Sequence, residues 1–444
     1  MVGRGIIISL IYRGLMMELS LPRGMRDFGP SEYEALENIR YTFVEVARIF
    51  GFRLMEPSPI EMLQTLEAKS GVGIRNEVYN FEDKGGREVG LRFDLTVGLT
   101  RYVVSNRGLP QPVKLGVFSD MWRYDEPQYG RFRWFYQWDV EIFGTKSVEA
   151  EAEVIEFAWV LLNKLGLHEV SIEIGDRRIV EEFIRTKLGV NNDKEITNLL
   201  RSVDKLQKKN VNDIISENIQ FGTDVDTVKK MLEFGSIKGK PDEIISLLSK
   251  YGITNISDLM RFTDLLNDKG VKNFELNMGI VRGLDYYNGL VFEIFEKGKL
   301  NIGALAGGGR YDILPSVFGR DDIGAVGIAG GVERTILALS NKDKKTNPIL
   351  FVAYTNEKMS RIAAKISSRL RLAGIPTDLE VSGRSLKKQF EYASKFAPLI
   401  LVVGPQDYDK NEITLRNMKE GSEIKISLDK LEVSIKKIMK GLVT

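Results

Sequence analysis

The sequence has 444 residues, of which 43% are hydrophobic and 28% charged, and its 63 basic and 61 acidic side chains leave a formal net charge of +2. A chain of this length predicts roughly two to four domains, and its near-neutral balance confines any contact with a polyanion to a local basic surface. Cysteine is absent and His168 is the only histidine. This composition excludes disulfides, thiol nucleophiles and Cys-ligated zinc, and it argues against His-ligated metals and Ser-His-Asp triads.

Residues 1–17 contain an apolar run that is too short to span a bilayer and is interrupted by Arg13. No small-residue cleavage site follows, so we interpret this segment as an N-terminal extension, with Met16 or Met17 as the natural initiator. No other segment is a candidate membrane span. We therefore expect no membrane contact and a cytoplasmic location.

An amphipathic helix is predicted over residues 30–50, where apolar side chains recur at helical spacing and Gly51 follows as a C-terminal glycine. Aromatic and β-branched residues predict two strands, over 113–118 and 132–143, joined by the charged loop RYDEPQYGR. A further helix is predicted over 148–165.

One face of the second strand carries the side chains of Arg133, Phe135, Gln137, Asp139 and Glu141. So many polar groups do not fit an ordinary core, and the residues alone leave open whether this face meets solvent or lines a polar pocket. Arg123 and Arg131 lie at the turn between the strands, where guanidinium groups suit phosphate oxygens.

Residues 177–270 are rich in Lys, Asn and Asp with helical periodicity, which predicts an inserted helical module. Strand-like sequence resumes at Phe274. A polar linker, SNKDKKTNP, then precedes alternating β and α segments, which predict a compact α/β domain with a largely parallel sheet.

Three further motifs carry chemistry-bearing residues. GIVRGLDYYNGLVFEIF places an arginine and a tyrosine pair before a strand, where they suit a flat, polar-edged ligand or simply cap a sheet. LAGGGRYD offers three glycines at which a backbone approaches a ligand closely, but it lacks the Lys-Ser/Thr of a Walker loop and GxGxxG spacing. In GGVERTILAL, Arg334 at a helix start opposes the helix dipole and calls for an anionic partner, unless it is a surface arginine.

In chain order, these segments resemble the class II aminoacyl-tRNA synthetases, and within that class the histidine enzymes. LPRGMRDFGP with the following helix and MEPSPIE is similar to motif 1, RYDEPQYGRFRWFYQWDVEIFG to motif 2, and AVGIAGGVERTILAL to motif 3. VRGLDYYNGLVFE and AGGGRYD resemble two signature peptides peculiar to histidyl-tRNA synthetases. The resemblance extends from about Leu21 to the C-terminus and is weakest in the insertion.

The resemblance implies an α/β multidomain protein: a mixed, mostly antiparallel sheet with flanking helices, a helical insertion and a C-terminal α/β anticodon-binding domain. The implied division is an extension at 1–17, a catalytic core at 18–176 and 271–341, the insertion at 177–270, and the anticodon-binding domain at 347–444.

The resemblance also implies residue roles. Arg123 would grip the α-phosphate of ATP, with Arg131 nearby, and Arg334 would grip the γ-phosphate. Arg282 would lie against the α-phosphate from the opposite side, within reach of the bound histidine. Arg123 and Arg282 are therefore the implied catalytic residues.

The substrate histidine has its own implied set. Its amino group would be held by Asp94, Thr96 and Gln137. Its two imidazole nitrogens would meet Glu141 and Tyr287, and the walls of the pocket would be Tyr286 and Tyr311.

The implied cofactors are ATP and Mg²⁺, without a His or Cys metal site, and the implied partners are histidine, tRNA(His) and a second copy of the chain. In the implied homodimer, the motif 1 strand pairs with its copy across a two-fold axis. The backbone hydrogen bonds of this strand would be made, and the apolar face of the helix over 30–50 would be buried, only in the dimer. Asp94 and Glu126 stand where bacterial enzymes carry glutamate and arginine, as in the archaeal and eukaryotic branch. The second departure puts a bacterial-style account of the tRNA acceptor end in doubt.

Two alternatives remain at this stage. A paralogue of the family serves as the non-catalytic regulatory subunit of ATP phosphoribosyltransferase, but such paralogues generally lack the C-terminal domain and lose catalytic arginines. A synthetase for proline, threonine or glycine would share the C-terminal domain but not VRGLDYYNG together with AGGGRYD.

Overall fold

The computed structural model describes residues 19–70, 72–126, 132–206, 209–281, 287–339 and 349–443. The chain forms two compact units, Met1–Asn341 and Lys342–Thr444. The N-terminal extension at 1–17 and the whole polar linker lie outside the described residues. Within the described ranges, no helix is long and apolar enough to cross a membrane.

A nine-stranded sheet is the centre of the first unit, in the order β1-β5-β6-β12-β11-β10-β7-β9-β8. The strands of this unit are β1 (Arg53–Leu54), β2 (Ile60–Met62), β3 (Asn80–Glu82), β4 (Glu88–Leu91), β5 (Val113–Trp122), β6 (Trp134–Phe143), β7 (Val170–Asp176), β8 (Lys238–Gly239), β9 (Phe274–Asn277), β10 (Leu290–Glu296), β11 (Ala306–Arg310) and β12 (Ala325–Gly331). Only the β1–β5 and β7–β9 ladders of this sheet are parallel. The predicted mixed, mostly antiparallel sheet is therefore confirmed. Strands β2, β4 and β3 form a separate small sheet.

Helices flank the large sheet. They are α1 (Pro30–Ile49), α2 (Leu63–Ser70), α3 (Leu95–Ser105), α4 (Val148–Lys164), α5 (Arg177–Lys187), α6 (Asp193–Asp204), α7 (Val211–Gln220), α8 (Val225–Gly235), α9 (Pro241–Lys250), α10 (Ser257–Asp268), α11 (Ile313–Val317) and α12 (Val332–Leu339).

Helix α1 confirms the predicted amphipathic helix, and Gly51 follows it with a φ of +73°. Its apolar side chains pack with those of α4 against the sheet; Phe43, for example, lies against Trp138 of β6 and Phe157 of α4. The expectation that this helix face needs a second copy to cover it is wrong, because Phe43 is fully buried within one chain. The apolar pattern marks a buried face without identifying which element buries it.

The segment over 177–270 contains the six helices α5 to α10, but it also contributes β8, which pairs with β9 at the edge of the large sheet. The Lys238 ammonium of β8 contacts Glu173 of β7 at 2.7 Å, which ties the insertion to the core. A two-residue strand is too short to show a period, so the sequence pattern did not predict it.

The second unit has a five-stranded sheet in the order β14-β13-β15-β16-β17. Its elements are β13 (Leu350–Tyr354), α13 (Glu357–Leu372), β14 (Thr377–Leu379), α14 (Leu386–Ala393), β15 (Leu399–Val403), α15 (Pro405–Tyr408), β16 (Glu412–Asn417), β17 (Glu423–Ser427) and α16 (Leu431–Val443). Helices α13 and α16 share one core cluster with the sheet, and α14 packs in another.

The prediction of a largely parallel sheet in this unit is wrong. β13 pairs in parallel with β14 and β15, whereas β15–β16 and β16–β17 are antiparallel. Parallel neighbours need a long crossover, usually a helix, and the short connections after β15 and β16 are too brief for one.

Candidate active site

Strand β6 runs antiparallel to β5 on one side and to β12 on the other. Trp122 pairs with Trp134, and Gly331 pairs with Gln137. The C-terminal ends of β5 and β12 therefore lie beside the beginning of β6, at the same end of these three strands. Arg123 directly follows β5, and Arg334 lies in the first turn of α12. The fold therefore brings both predicted phosphate ligands to this end of the strands.

Glu141 is the last residue of the polar face along β6 and is 2% exposed. Its Oε1 accepts a hydrogen bond from the Thr96 hydroxyl at 2.9 Å, and its Oε2 accepts one from the Tyr311 hydroxyl at 2.6 Å. Three predicted site residues, from α3, β6 and the residue after β11, thus meet directly. Because Asp139 is also fully buried, the part of this face at Asp139 and Glu141 is a buried polar layer and not a solvated sheet face.

A glycine in β12 makes room for the Glu141 carboxylate. Gly327 is the register partner of Glu141, and a Cβ built on Gly327 would lie 1.4 Å from Glu141 Oε2. Any other residue at this position would displace the carboxylate. Gly327 is therefore a site residue that the sequence analysis missed.

Asp94 precedes α3 and caps its N-terminus by accepting a hydrogen bond from the Thr96 backbone N–H at 2.8 Å. The cap fixes Thr96, whose hydroxyl in turn orients Glu141. Gln137 lies two residues before Asp139 on the same face of β6 and is partly exposed. The three residues predicted for the amino group thus belong to two elements that meet through Glu141.

Tyr287 and Tyr311 belong to the same buried cluster, 7% and 2% exposed respectively. Gly309 of β11 approaches Tyr287 closely, since a Cβ on Gly309 would lie 3.0 Å from Tyr287 Cδ1. The glycine-rich strand β11 therefore leaves space for an aromatic ring. The sequence analysis expected these glycines to admit a ligand, whereas the contact seen at Gly309 is with a side chain of the protein itself.

The backbone that precedes α3 holds the guanidinium of Arg123. Its Nε donates to the Phe93 carbonyl at 2.9 Å, and its Cζ lies 5.2 Å from the ring centroid of Phe135. The planar guanidinium therefore lies over the aromatic face of Phe135.

Arg334 donates from Nη1 to the Ala304 carbonyl at 2.8 Å and is partly exposed. Its neighbour Glu333 is buried and accepts the Tyr136 backbone N–H at 3.0 Å, which ties α12 to β6. Burial raises the pKa of Glu333 to about 7, although the Tyr136 N–H and the guanidinium of Arg26 oppose the shift. The oxygen of Glu333 lies 3.6 Å from Arg26.

Arg310, between the glycines of β11 and Tyr311, is structural. It forms a two-pronged buried ion pair with Glu151 of α4, with distances of 2.5 Å from Nε and 2.6 Å from Nη2. Desolvation raises the pKa of Glu151 despite this partner. The pair fixes the backbone from which Tyr311 reaches Glu141.

Three predicted site residues, Arg131, Arg282 and Tyr286, lie outside the described residues. Two buried residues within the described ranges were not predicted to act here: Asp139, which lies between Gln137 and Glu141 on one strand face, and Arg92. The alternation of β6 already placed Asp139 on this face, whereas no sequence pattern distinguished Arg92.

Comparison with known families assigns both units. The family model described as histidyl-tRNA synthetase matches residues 24–335, and the model described as anticodon binding domain matches residues 339–438.

Among proteins of known name, the histidine–tRNA ligase of Pyrococcus horikoshii is 36% identical over 94% of this chain and 99% of its own length. That of Pyrococcus furiosus is 37% identical over 94% of this chain and 99% of its own length. Among solved structures, histidyl-tRNA synthetase from Nostoc sp. PCC 7120 superposes with a TM-score of 0.82 at 24% identity, covering 95% of this chain and 99% of that one. A structure described as an ATP phosphoribosyltransferase regulatory subunit/histidyl-tRNA synthetase from Bacillus halodurans gives a TM-score of 0.73 at 22% identity, covering 87% and 98%.

The large antiparallel sheet with its flanking helices is the fold of the class II aminoacyl-tRNA synthetases. Within that class, the chain belongs to the histidyl-tRNA synthetase family. The class and the family that the motifs predicted are both confirmed.

Proposed function

We propose that the protein is a histidine–tRNA ligase, which activates histidine with ATP to histidyl-adenylate and transfers histidine to the 3′-terminal adenosine of tRNA(His). The observation that carries this proposal is the buried carboxylate of Glu141, oriented by the hydroxyls of Thr96 and Tyr311 at 2.9 and 2.6 Å. An oriented acceptor in a buried polar layer suits the N–H of an imidazole ring.

In the first step, a carboxylate oxygen of histidine attacks the α-phosphorus of ATP. The bond from that phosphorus to the bridging oxygen breaks, and pyrophosphate leaves with the electron pair. Arg123 and Arg334, together with Arg282 by family resemblance, reduce the repulsion between the two anions and stabilise the charge of the transition state. The hydrogen bond from Arg123 to Phe93 fixes the guanidinium before substrate binds.

Mg²⁺ would enter with the nucleotide. Within the described parts of the chain, no group of three His, Asp or Glu side chains could hold a metal ion. Phosphates and water would supply most of its ligands, because a Mg²⁺ ion bound in this way needs only one or two protein carboxylates. When bound, the ion would neutralise phosphate charge.

In the second step, a ribose hydroxyl of the terminal adenosine attacks the carbonyl carbon of the adenylate, and AMP leaves. The described residues place no histidine beside Glu141, since His168 lies on the surface after α4. A phosphate oxygen of the adenylate would therefore accept the hydroxyl proton.

Selection of histidine follows from the same carboxylate. A carboxylate has about four acceptor sites, of which Thr96 and Tyr311 occupy one each. The imidazole N–H would use another, and Tyr287 would meet the second ring nitrogen. An apolar amino acid would make neither of these two hydrogen bonds, which supports discrimination of about 10⁴-fold without editing.

The second unit would bind the anticodon, and one of its surfaces suits unpaired bases. The guanidinium of Arg384 lies 3.9 Å from the ring centroid of Tyr392, which is 38% exposed and lies 5.0 Å from the ring of Phe396. Lys387 and Lys388 of α14 are exposed beside them. Exposed aromatic rings within a cationic surface are typical of single-stranded RNA recognition.

We further propose that the working unit is a homodimer with an isologous interface. Strand β2 lies at the edge of the small sheet, and its Ile60 and Met62 are 44% and 39% exposed. The outer face of α1 leaves Tyr41 and Ile49 73% and 64% exposed. An apolar edge strand and a helix with exposed apolar side chains are both features that suit pairing with a second copy. Light scattering at micromolar concentration tests this; a monomeric mass with full activity would refute it.

The non-catalytic regulatory subunit is the weaker candidate. The match to ligases over 94% of the chain and the anticodon-binding match at 339–438 favour the ligase. Charging of a tRNA(His) transcript with histidine and ATP distinguishes the two, because a regulatory subunit would form no histidyl-tRNA.

We also propose that the protein is located in the cytoplasm.

A further inference from the structure

Arg92, which directly follows β4, is a buried hub of hydrogen bonds and is 4% exposed. Its Nη1 donates to Glu56 Oε1 at 2.6 Å and to the Pro57 carbonyl at 2.7 Å. Its Nε donates to the Asp120 carbonyl and its Nη2 to Asp120 Oδ1, both at 2.8 Å, and Nη2 also contacts Ser119 Oγ. One side chain therefore joins the segment before β2 to the end of β5.

The backbone of Arg92 makes the same connection. Its N–H donates to the Pro59 carbonyl at 2.9 Å, and its carbonyl accepts the Trp122 N–H at 3.0 Å. The next carbonyl along the chain, that of Phe93, accepts the Nε of Arg123 at 2.9 Å. Arg92 thus fixes two groups that hold Arg123. The first is the end of β5, which Arg123 directly follows, and the second is the Phe93 carbonyl, which accepts the hydrogen bond from the Arg123 guanidinium.

We propose that Arg92 is a positioning residue for adenylate formation, which transmits the geometry of the 56–59 segment to the guanidinium of Arg123. This inference rests on the proposed function, because it takes Arg123 as the α-phosphate ligand. Arg92 itself touches no substrate. It sets where the Arg123 guanidinium lies before ATP binds.

A lysine cannot replace Arg92 in this role. The planar guanidinium reaches acceptors on two chain segments at once, whereas an ammonium is a compact point charge with three donors. Arg92→Lys keeps the positive charge opposite Glu56 and Asp120 but releases the end of β5. A misplacement of about 1 Å at a reacting group costs roughly 100-fold in rate.

The test is ATP–pyrophosphate exchange by full-length Arg92→Lys, with kcat and both KM values measured. We expect kcat to fall about 100-fold, with the KM for histidine changed much less. Arg178→Lys is the matched control, because Arg178 also bridges two carboxylates, Asp176 and Asp258, but on the insertion side of the sheet. It should retain normal exchange.

A double-mutant cycle with Arg123→Lys separates positioning from general destabilisation. If Arg92 acts through Arg123, the double variant will be no slower than Arg123→Lys alone. Independent, multiplying losses would overturn the inference, as would a normal kcat in folded Arg92→Lys. A normal rate in Arg123→Lys would instead refute the role of Arg123 in the proposed function, and the inference with it.

A milder variant keeps the proposal testable if Arg92→Lys does not fold. Asp120 accepts from Arg92 at Oδ1 and from Trp134 Nε1 at Oδ2, both at 2.8 Å. Asp120→Asn can satisfy only one of these donors, so it loosens the same strand end while keeping the side-chain volume. It should lower kcat in the same non-additive way with Arg123→Lys, and additive losses would again contradict the proposal.

Discussion

The hydroxyl of Tyr311 donates a 2.6 Å hydrogen bond to Oε2 of Glu141, across a sequence separation of 170 residues. Both side chains are almost fully buried, and Glu141 takes its other hydroxyl contact from Thr96. The carboxylate that would read the imidazole is therefore oriented by its neighbours before histidine arrives, so that little reorganisation accompanies binding.

Removing one orienting hydroxyl tests that relationship. Tyr311→Phe should lower kcat/KM for histidine about tenfold or more, since a hydrogen bond to a charged group contributes about 1.5–3 kcal/mol. Glu141→Gln should lower it further, while the KM for ATP changes little in both variants. ATP–pyrophosphate exchange with each substrate varied in turn gives these constants. An equal effect on both substrates would mean that Glu141 shapes the fold instead of selecting histidine.

Gly327→Ala should damage histidine use through sterics alone. The added Cβ would lie 1.4 Å from Glu141 Oε2, so the carboxylate must move, and such overpacking costs about 1–3 kcal/mol. We expect a tenfold or larger drop in kcat/KM for histidine. Gly108→Ala is the control outside the site, because its Cβ would meet nothing within 4 Å. Equal losses in the two variants would contradict the steric explanation.

The stability of the protein should carry a pH dependence from Glu333. Burial raises the pKa of Glu333 from 4.5 to about 7, so the folded protein holds this proton more tightly than the unfolded chain does. Its contribution is therefore fully present below pH ~4.5 and is lost as the pH rises through ~7, by at most about 3 kcal/mol. Glu333→Gln cannot titrate, so its thermal midpoint relative to wild type should rise between pH ~5 and ~8. Parallel midpoint curves would contradict the assignment.

The surface of α14 should matter for tRNA but not for activation. Arg384→Ala and Tyr392→Ala each remove part of the stacked pair, and base stacking contributes about 1–3 kcal/mol per base. The KM for tRNA should rise about tenfold, with histidine–ATP exchange unchanged. Arg371→Ala, at an exposed position in the last turn of α13, is the matched control. If Arg371→Ala raised the KM for tRNA equally, the effect would not be specific to the surface of Arg384 and Tyr392.

The sequence predicted the elements whose signal is local. Helix α1 and the β5–β6 pair follow from periodicity over many residues, and Gly51 marks the helix end. Strand β8 and the antiparallel half of the second sheet were missed, because a two-residue strand shows no period and strand direction depends on how short connections fold.

The site was predicted through resemblance, and its internal contacts were not. The motifs grouped Glu141 with Tyr311, but neither spacing nor composition shows that their side chains bond to each other. Gly327 acquires its importance only from its register with Glu141. Arg92 is one arginine among many in the sequence, and only the folded chain brings five acceptors to its guanidinium.

The most direct test of the central claim is ATP–pyrophosphate exchange with each of the twenty standard amino acids in turn. A carboxylate oriented by Thr96 and Tyr311 predicts rapid exchange with histidine and slower exchange with every other amino acid, by about 10⁴-fold for apolar side chains. A faster rate with any other amino acid, or no exchange at all by the folded protein, would contradict the account.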